Sequence, residues 1–300
     1  MPHRTLGLGT RAAFAAVVCL PLLLLAAPVA SALDVYAAGD IAQCPGAAAD
    51  SGAARTARLI PDGASVLVLG DSTYPFADRA TIKACYEPTW GRFRAHTYAA
   101  PGNHDYARGS PRDFLAYFGE RNAGHTWFRA PLGDWWVIAL DSDVAGEALA
   151  EQEHWLDGEL KAIAGDGRCI VAIWHHALFS TGLHRGDGAR MQPAWRALDA
   201  AGADLVLSGH EHFYESFEPR DADGNENGGG IREFVVGTGG ARLVDFSMSS
   251  QHRAYARVHG VLELKLEADR YEYGFKTVDG DVLDRGAATC RRAARAPAGR

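Results

Sequence analysis

The sequence predicts a layered α/β domain that carries its chemistry at the carboxyl ends of strands, and three observations lead there. Short apolar runs rich in Val, Leu, Ile and Trp alternate with helix-like stretches up to about residue 210. Beyond that point the pattern changes to successive strands with hairpin signals between them, which predicts a closing antiparallel run. Five of the early strand-like runs end in Asp, Asn or His, where ligands gather in open α/β sheets.

Residues 1–32 stand apart from this domain. They open with Arg4 and Arg11, run apolar over 12–27 with a break at Pro21, and close on Ala30-Ser31-Ala32. That small-x-small ending predicts a secretory signal peptide cleaved after Ala32. The apolar stretch is shorter than the ~20 residues that span a bilayer. No later segment is long and apolar enough to span, so no stable membrane association is expected after cleavage. The domain is expected over 33–290, with 291–300 a flexible basic tail rich in Arg, Ala and Pro.

Within the domain, strands are expected at 35–39, 65–70, 96–100, 135–140, 169–174 and 204–208, each ending at Gly, Asp, His or a turn residue. Helices are expected between them at 49–60, 112–118, 149–163 and 191–201. After residue 210, strands are expected at 213–218, 231–236, 258–266 and 270–277. The alternate oxygens of Asp221-Ala222-Asp223-Gly224-Asn225 resemble a calcium loop, but the distal bidentate glutamate is missing and a polar hairpin tip is the expectation. His125, Trp127, Trp135 and Trp136 are expected to pack against strands. No internal repeat or Pro/Ser-rich linker divides the chain.

Charge and cysteine content narrow the setting. Formal charge is −7, and loss of Arg4 and Arg11 with the leader moves it to −9. An acidic surface gives no electrostatic help with a polyanion, so nucleic acid is not an expected partner. Four cysteines remain beyond the leader: Cys44, Cys85, Cys169 and Cys290. An even number in an exported chain predicts two disulfides, while the absence of a CxxC pair weighs against zinc. Three pairings are open. Cys44 follows the Asp40 turn and Cys85 lies beyond Tyr74, which favours Cys44–Cys85 with Cys169–Cys290.

The metal-competent side chains fall in a series. Gly39-Asp40 follows the first strand, and Gly70-Asp71 the second, with Tyr74 three residues on. Gly102-Asn103-His104-Asp105 follows the third, His175-His176 ends a later one, and Gly209-His210-Glu211-His212 ends the next. A Gly-Asp turn alone is ordinary loop chemistry, and a lone His175 is most often a satisfied buried histidine. Five such ends in one chain are not explained that way.

This series resembles the calcineurin-like metallophosphoesterases and, within them, the purple acid phosphatases and their bacterial relatives, over about residues 34–240. The resemblance implies a metallophosphoesterase-type β-sandwich flanked by helices. Many members of the wider superfamily begin with Asp-x-His, whose histidine binds metal one; here that position is Ala42, and Tyr74 supplies the compensating ligand. By resemblance, Asp40, Asp71, Tyr74 and His212 hold metal one, and Asp71, Asn103, His175 and His210 hold metal two. Three anionic oxygens suit Fe3+ at site one, and the amide and imidazoles suit Zn2+, Mn2+ or Fe2+ at site two. A bridging carboxylate sets such ions roughly 3.5–4 Å apart, and a water at the pair is the expected nucleophile.

The remaining assignments also follow the resemblance. His104 stabilises the phosphoryl charge or protonates the leaving group, with Asp105 as an acidic neighbour that favours its charged form. His184, nine residues after His175, matches in spacing a family histidine that faces the substrate phosphate. His176 is read as a neighbour of the ligands, and Ala177 stands where the family usually has proline. The expected activity is that of a secreted dinuclear phosphatase acting on a small phosphorylated substrate by a metal-activated hydroxide. A phosphodiesterase or nucleotidase on the same site, or an exported protein that binds metal or phosphate without catalysis, are the alternatives.

Overall fold

Strands covered on both faces have no reason to alternate apolar with polar residues, and the central runs of this chain do not. The computed structural model describes residues 1–3, 32–44, 49–244 and 253–291. The chain divides into two units, Met1–Ala30 and Ser31–Arg300, and the fold belongs to the second. The expected leader lies almost wholly outside the described residues, as does the expected tail beyond Arg291.

Along the chain come β1 (Leu33–Ala38), β2 (Ala42–Gln43), α1 (Gly52–Ala57), β3 (Ser65–Leu69), β4 (Thr73–Tyr74) and α2 (Arg79–Thr81). A π turn at Ile82–Tyr86 and 3₁₀ turns over Trp90–His96 lead to β5 (Thr97–Ala100) and α3 (Arg112–Phe118). Then follow β6 (Phe128–Leu132), β7 (Trp135–Ala139), α4 (Glu147–Ala162), β8 (Cys169–His176), α5 (Gln192–Ala201) and β9 (Leu205–Gly209). The remaining strands are β10 (Tyr214–Ser216), β11 (Arg232–Val236), β12 (Ala254–Ala256), β13 (Gly260–Leu266), β14 (Arg270–Thr277) and β15 (Val282–Thr289).

Two mixed sheets result. The six-stranded sheet runs β15-β14-β13-β1-β3-β5 and the seven-stranded sheet β12-β10-β11-β9-β8-β7-β6; β2 and β4 form a short parallel pair. The period of two along β7 and β8 builds the layers. Val137, Ala139, Val171 and Ile173 join the core shared with Val35, Leu67 and Leu262 of the other sheet. Ile138, Ile170, Ala172 and Trp174 face the opposite way, against Leu156 and Leu160 of α4 and Trp195 and Leu198 of α5. The outer layer on the other side includes Trp90, whose indole N–H lies 3.2 Å from Ala53 O and 3.1 Å from Thr56 Oγ1.

One expectation about the end of the chain is corrected. The strands after residue 210 do not form one closing antiparallel run. β10 pairs antiparallel with β11, but β11 lies parallel to β9. β13 to β15 cross to the first sheet, where β13 pairs antiparallel with β1. The segment 221–227 is the expected hairpin tip, with Asp221 Oδ1 accepting from the amides of Asp223 (2.9 Å) and Asn225 (3.0 Å). Arg291, expected in the tail, is held to Asp204 Oδ1 through its amide (2.6 Å) and to Asp199 Oδ1 through its guanidinium (2.8 Å). Among the described residues no helix is long and apolar enough to cross a membrane.

Cys44 pairs with Cys85 and Cys169 with Cys290, with Cα separations of 5.9 and 5.8 Å. The first joins the residue just after β2 to the π turn at Ile82–Tyr86; the second joins the start of β8 to the chain just after β15. Non-reducing peptide mapping should recover these two linkages. Replacing Cys169 and Cys290 together by alanine should cost roughly 4–5 kcal/mol, because the bridge closes a loop of more than a hundred residues. Denaturant melts of the double variant give the comparison, and recovery of a Cys44–Cys169 peptide would contradict the pairing.

Candidate metal centre

Each strand that feeds the site stops abruptly, and the backbone shows how. Asp40 and Asp71, just after β1 and β3, and His210, just after β9, have φ of 57°, 52° and 69°. Non-glycine residues rarely take this left-handed conformation, which costs about 1–3 kcal/mol per residue and persists where the surroundings enforce it. Beyond these turns the side chains contact one another, so residues from both sheets meet at one point.

There Asp40 and Asp71 are completely buried. The Tyr74 hydroxyl lies 2.5 Å from Asp40 Oδ1, 2.8 Å from Asp71 Oδ2 and 3.0 Å from His212 Nε2. His212 Nε2 is also 3.1 Å from Asp40 Oδ1, and His175 Nε2 is 3.4 Å from Asp71 Oδ2. His210 Nδ1 lies 3.2 Å from His175 Nε2. Ligating atoms of Asp40, Asp71 and His175 all fall within 4.8 Å of one another. The His104 amide donates to Asp71 Oδ1 at 2.8 Å, which fixes the Asn103 turn against the same carboxylate. Thus Asp40, Asp71, Tyr74, His175, His210 and His212 form one contact network, with Asn103 beside it.

The inward nitrogens are set by what holds the outer ones. His175 Nδ1 meets Leu69 O at 2.8 Å and His212 Nδ1 meets Arg242 O at 2.7 Å. A carbonyl only accepts, so both Nδ1 atoms donate and both Nε2 atoms are left for the centre. His210 is reversed: its Nε2 meets Asp187 Oδ2 at 3.1 Å and Nδ1 points inward.

These residues fit a cation pair. One phenolic proton cannot serve both Asp40 and Asp71, and Asn103 Oδ1 is buried with no hydrogen-bond partner among the described residues. Two buried carboxylates side by side require positive charge. Protons alone supply it in part. Burial works against charge on His175, but Asp71 and Asp40 push it up to about 10. His212 is likewise pushed up to about 9 by Asp40 against the effect of burial. Burial pulls His210 down to about 4, reinforced by His175, and so keeps it in the neutral form that binds metals. Burial and the two carboxylates push the Tyr74 phenol well above its usual range.

Asp105 departs from its expected role. It is fully buried, and its Oδ2 accepts from the amides of Asp71 and Gly102 at 2.8 Å each. Its Oδ1 accepts from the amide of Ser72 at 3.1 Å and its hydroxyl at 2.6 Å. The carboxylate is committed to knitting two ligand loops together, rather than to the His104 ring. That ring is instead held by Pro75 O, 2.5 Å from Nδ1, with Nε2 4.0 Å from Asp71 Oδ2. His184 lies at the edge of the centre, its ring 4.7 Å from that of His210 and its Nδ1 3.4 Å from Glu211 Oε2. His176 Nδ1 meets Ser142 Oγ at 2.9 Å, and its ring lies 5.1 Å from that of His175 and 4.3 Å from that of His210.

Several contributors were not visible in the sequence pattern. Glu211 Oε1 accepts from the His184 amide at 2.8 Å, and Glu215 Oε2 from the Thr181 amide at 3.1 Å. Glu233 accepts from the amides of Leu178 (3.0 Å) and Phe179 (2.9 Å), and burial pushes it up to about 8. Three acidic side chains thereby hold the His184 loop, where Ala177 replaces the family's proline. Only Glu211 carried a signal, lying between two expected ligands.

The sequence model of the calcineurin-like phosphoesterases matches residues 33–214, and the chain belongs to that family. An uncharacterized protein of Mycobacterium tuberculosis is 29% identical over 167 residues, 47% of this chain and 30% of that protein. The matched stretch thus spans less than a third of that relative's length. Among solved structures, similar folds include GAP50, the anchor in the inner membrane complex of Plasmodium (TM-score 0.70, 15% identity, 87% of this chain and 89% of that one). A purple acid phosphatase from yellow lupin (Lupinus luteus) seeds gives a TM-score of 0.66 at 18% identity, covering 87% of this chain and 54% of that one. A dimetal phosphatase from Danio rerio gives 0.59 at 10% identity, with 87% and 99% covered. These likenesses establish a metallophosphoesterase-type fold.

The glycines before the ligands carry a sharp expectation. A Cβ on Gly70, at φ +83°, would stand 2.5 Å from His175 Nδ1, and one on Gly102 would stand 2.3 Å from Asp71 Oδ1. Gly70→Ala and Gly102→Ala should each destabilise the protein by roughly 2 kcal/mol or more and lower its metal content. Thermal melts with elemental analysis measure both; an alanine variant of full stability and metal content would show that these approaches are not required.

Proposed function

We propose that the chain is an exported, dinuclear metal-dependent phosphomonoesterase. The observation that carries this reading is the position of Asp71. Asp71 Oδ2 lies 2.8 Å from the Tyr74 hydroxyl, which also meets Asp40 and His212, and 3.4 Å from His175 Nε2, which in turn meets His210, so one side chain stands between two groups of candidate ligands and can serve two cations. Asp40, Asp71, Tyr74 and His212 would hold the first, and Asp71, Asn103, His175 and His210 the second. The three oxygens of the first set favour Fe3+, and the mixed amide and imidazole set favours Zn2+, Mn2+ or Fe2+. When bound, such a pair polarises phosphoryl oxygens and lowers the pKa of a water enough to supply the nucleophile near neutral pH.

The chain's own groups do the rest. His104 keeps Nδ1–H on Pro75 O, so its Nε2 is the atom that can pass a proton to the departing alcohol oxygen. His184 keeps Nδ1 toward Glu211 and offers Nε2 to a phosphate oxygen. Asp105 and the three glutamates keep the loops in place while charge shifts at phosphorus. Export is supported by the leader pattern over 1–32 and by four paired cysteines.

Three variants test the assignment. Asp71→Ala should lose metal from both positions, whereas His104→Ala should keep both and lose roughly 10²–10⁴ in turnover on a monoester. The reverse pattern in elemental analysis would overturn the roles. Separately, oxidised, iron-loaded protein should absorb visible light through charge transfer from the Tyr74 phenolate. Tyr74→Phe should be nearly colourless, and a variant that retained the band would remove Tyr74 from the ligand set.

A further inference from the structure

Two columns of rings lead outward from the metal centre. On one side Tyr74 lies 4.4 Å from His104, and His104 lies 5.9 Å from Phe76, between ring centroids. On the other, His175 lies 5.0 Å from His210 and His210 4.7 Å from His184, which follows Leu183 in the chain. The first column ends at Phe76, whose side chain is 51% exposed, and the second at His184, whose chain neighbour Leu183 is 64% exposed. From Ser31 onward the only other exposed large hydrophobics among the described residues are Val282 and Leu283, far along the chain on the edge strand β15.

Neither residue sits on a loose backbone. Phe76 O accepts from Thr73 Oγ1 at 3.1 Å and from Thr81 Oγ1 at 2.5 Å, and the following amide, of Ala77, donates to His104 O at 2.8 Å. Leu183 is bracketed by the Gly182 amide on Ser180 Oγ (2.9 Å) and the His184 amide on Glu211 Oε1 (2.8 Å). A pinned backbone that presents an apolar side chain to water is poised to cover an apolar ligand group without further loss of chain entropy.

We propose that Phe76 and Leu183 form the recognition surface for the organic part of the substrate, and that this part is a flat, apolar group such as an aryl ring. The inference rests on the phosphatase reading above and adds the substrate class. His104 is the group assigned to the departing oxygen, so the substituent on that oxygen passes next to the Phe76 ring. There an aryl group gains both apolar cover and ring–ring contact. A short polyol in the same place gains neither.

The test compares phenyl phosphate with glycerol 2-phosphate, and the non-hydrolysable phenylphosphonate with methylphosphonate. The full chain is used with its metals, as wild type, Phe76→Ala, Phe76→Leu and Leu183→Ala. Wild type should hydrolyse phenyl phosphate with the lower KM and bind phenylphosphonate more tightly than methylphosphonate by roughly tenfold. Phe76→Ala and Leu183→Ala should each raise KM for phenyl phosphate about three- to tenfold and shrink the phosphonate ratio to match. Both should leave kcat/KM for glycerol 2-phosphate within about twofold, and Phe76→Leu should recover part of the loss. A ratio unchanged in both alanine variants overturns the proposal, as does an equal loss on both esters, which would make Phe76 a mere support for His104. Wild-type protein that hydrolyses neither ester fails the phosphatase reading itself, and the substrate class falls with it.

Discussion

Two carboxylates, Asp40 and Asp71, are held out of water within reach of a single phenol, and the local structure around them answers that constraint. Buried negative charges must be neutralised or hydrogen-bonded. Asp71 and Asp40 push the pKa values of His175 and His212 upward, which favours protons there, and a bound metal would displace those protons, because imidazole ligates only when neutral. The left-handed turns at Asp40, Asp71 and His210 bring the charges together, and the interlocking core of the two sheets supplies the stability against which that strain is set. Hydrogen bonds across the sheets tighten the arrangement further. The Gly39 amide donates to Val236 O, and the His210 amide to Asp40 Oδ2.

What could be read in the sequence follows from the same physics. The parallel strands β1, β3, β5, β7, β8 and β9 are covered on both faces, so each is a continuous apolar run with a turn residue behind it. Apart from the two-residue pair β2 and β4, the strands that were not anticipated, β6, β12 and β15, are all at the edges of sheets. β6 contains Pro131, β12 is three residues long, and β15 is mostly polar or exposed, as edge strands are when they avoid pairing with other chains. The crossing of β13 to the first sheet was not legible either. Its alternation of buried and exposed residues fits an antiparallel partner in either sheet, and only packing decides which.

At the site, the residues that come together were legible because each belongs to a short motif at or just after a strand end. Asp105 follows His104 in sequence but does not serve its ring, because adjacency in sequence is not adjacency in chemistry. A 3₁₀ turn at Asn103–Asp105 points consecutive side chains in different directions, so His104 stays at the surface while Asp105 turns inward onto Asp71, Ser72 and Gly102. Glu215 and Glu233 reach the 178–184 loop from β10 and β11, more than thirty residues downstream. No local pattern encodes such contacts.

The candidate ligand set also straddles a seam. Asp40, Asp71, Tyr74 and Asn103 ride on the six-stranded sheet and its loops, while His175, His210 and His212 belong to the end of the seven-stranded one. Neither half of the domain can assemble the set alone, so the centre comes into being only when the two sheets dock. A cation bound there acts as a clasp between them, and its binding energy adds to the cohesion of the sandwich. If the candidate site holds metal, removing it would then also loosen the joint between the two sheets.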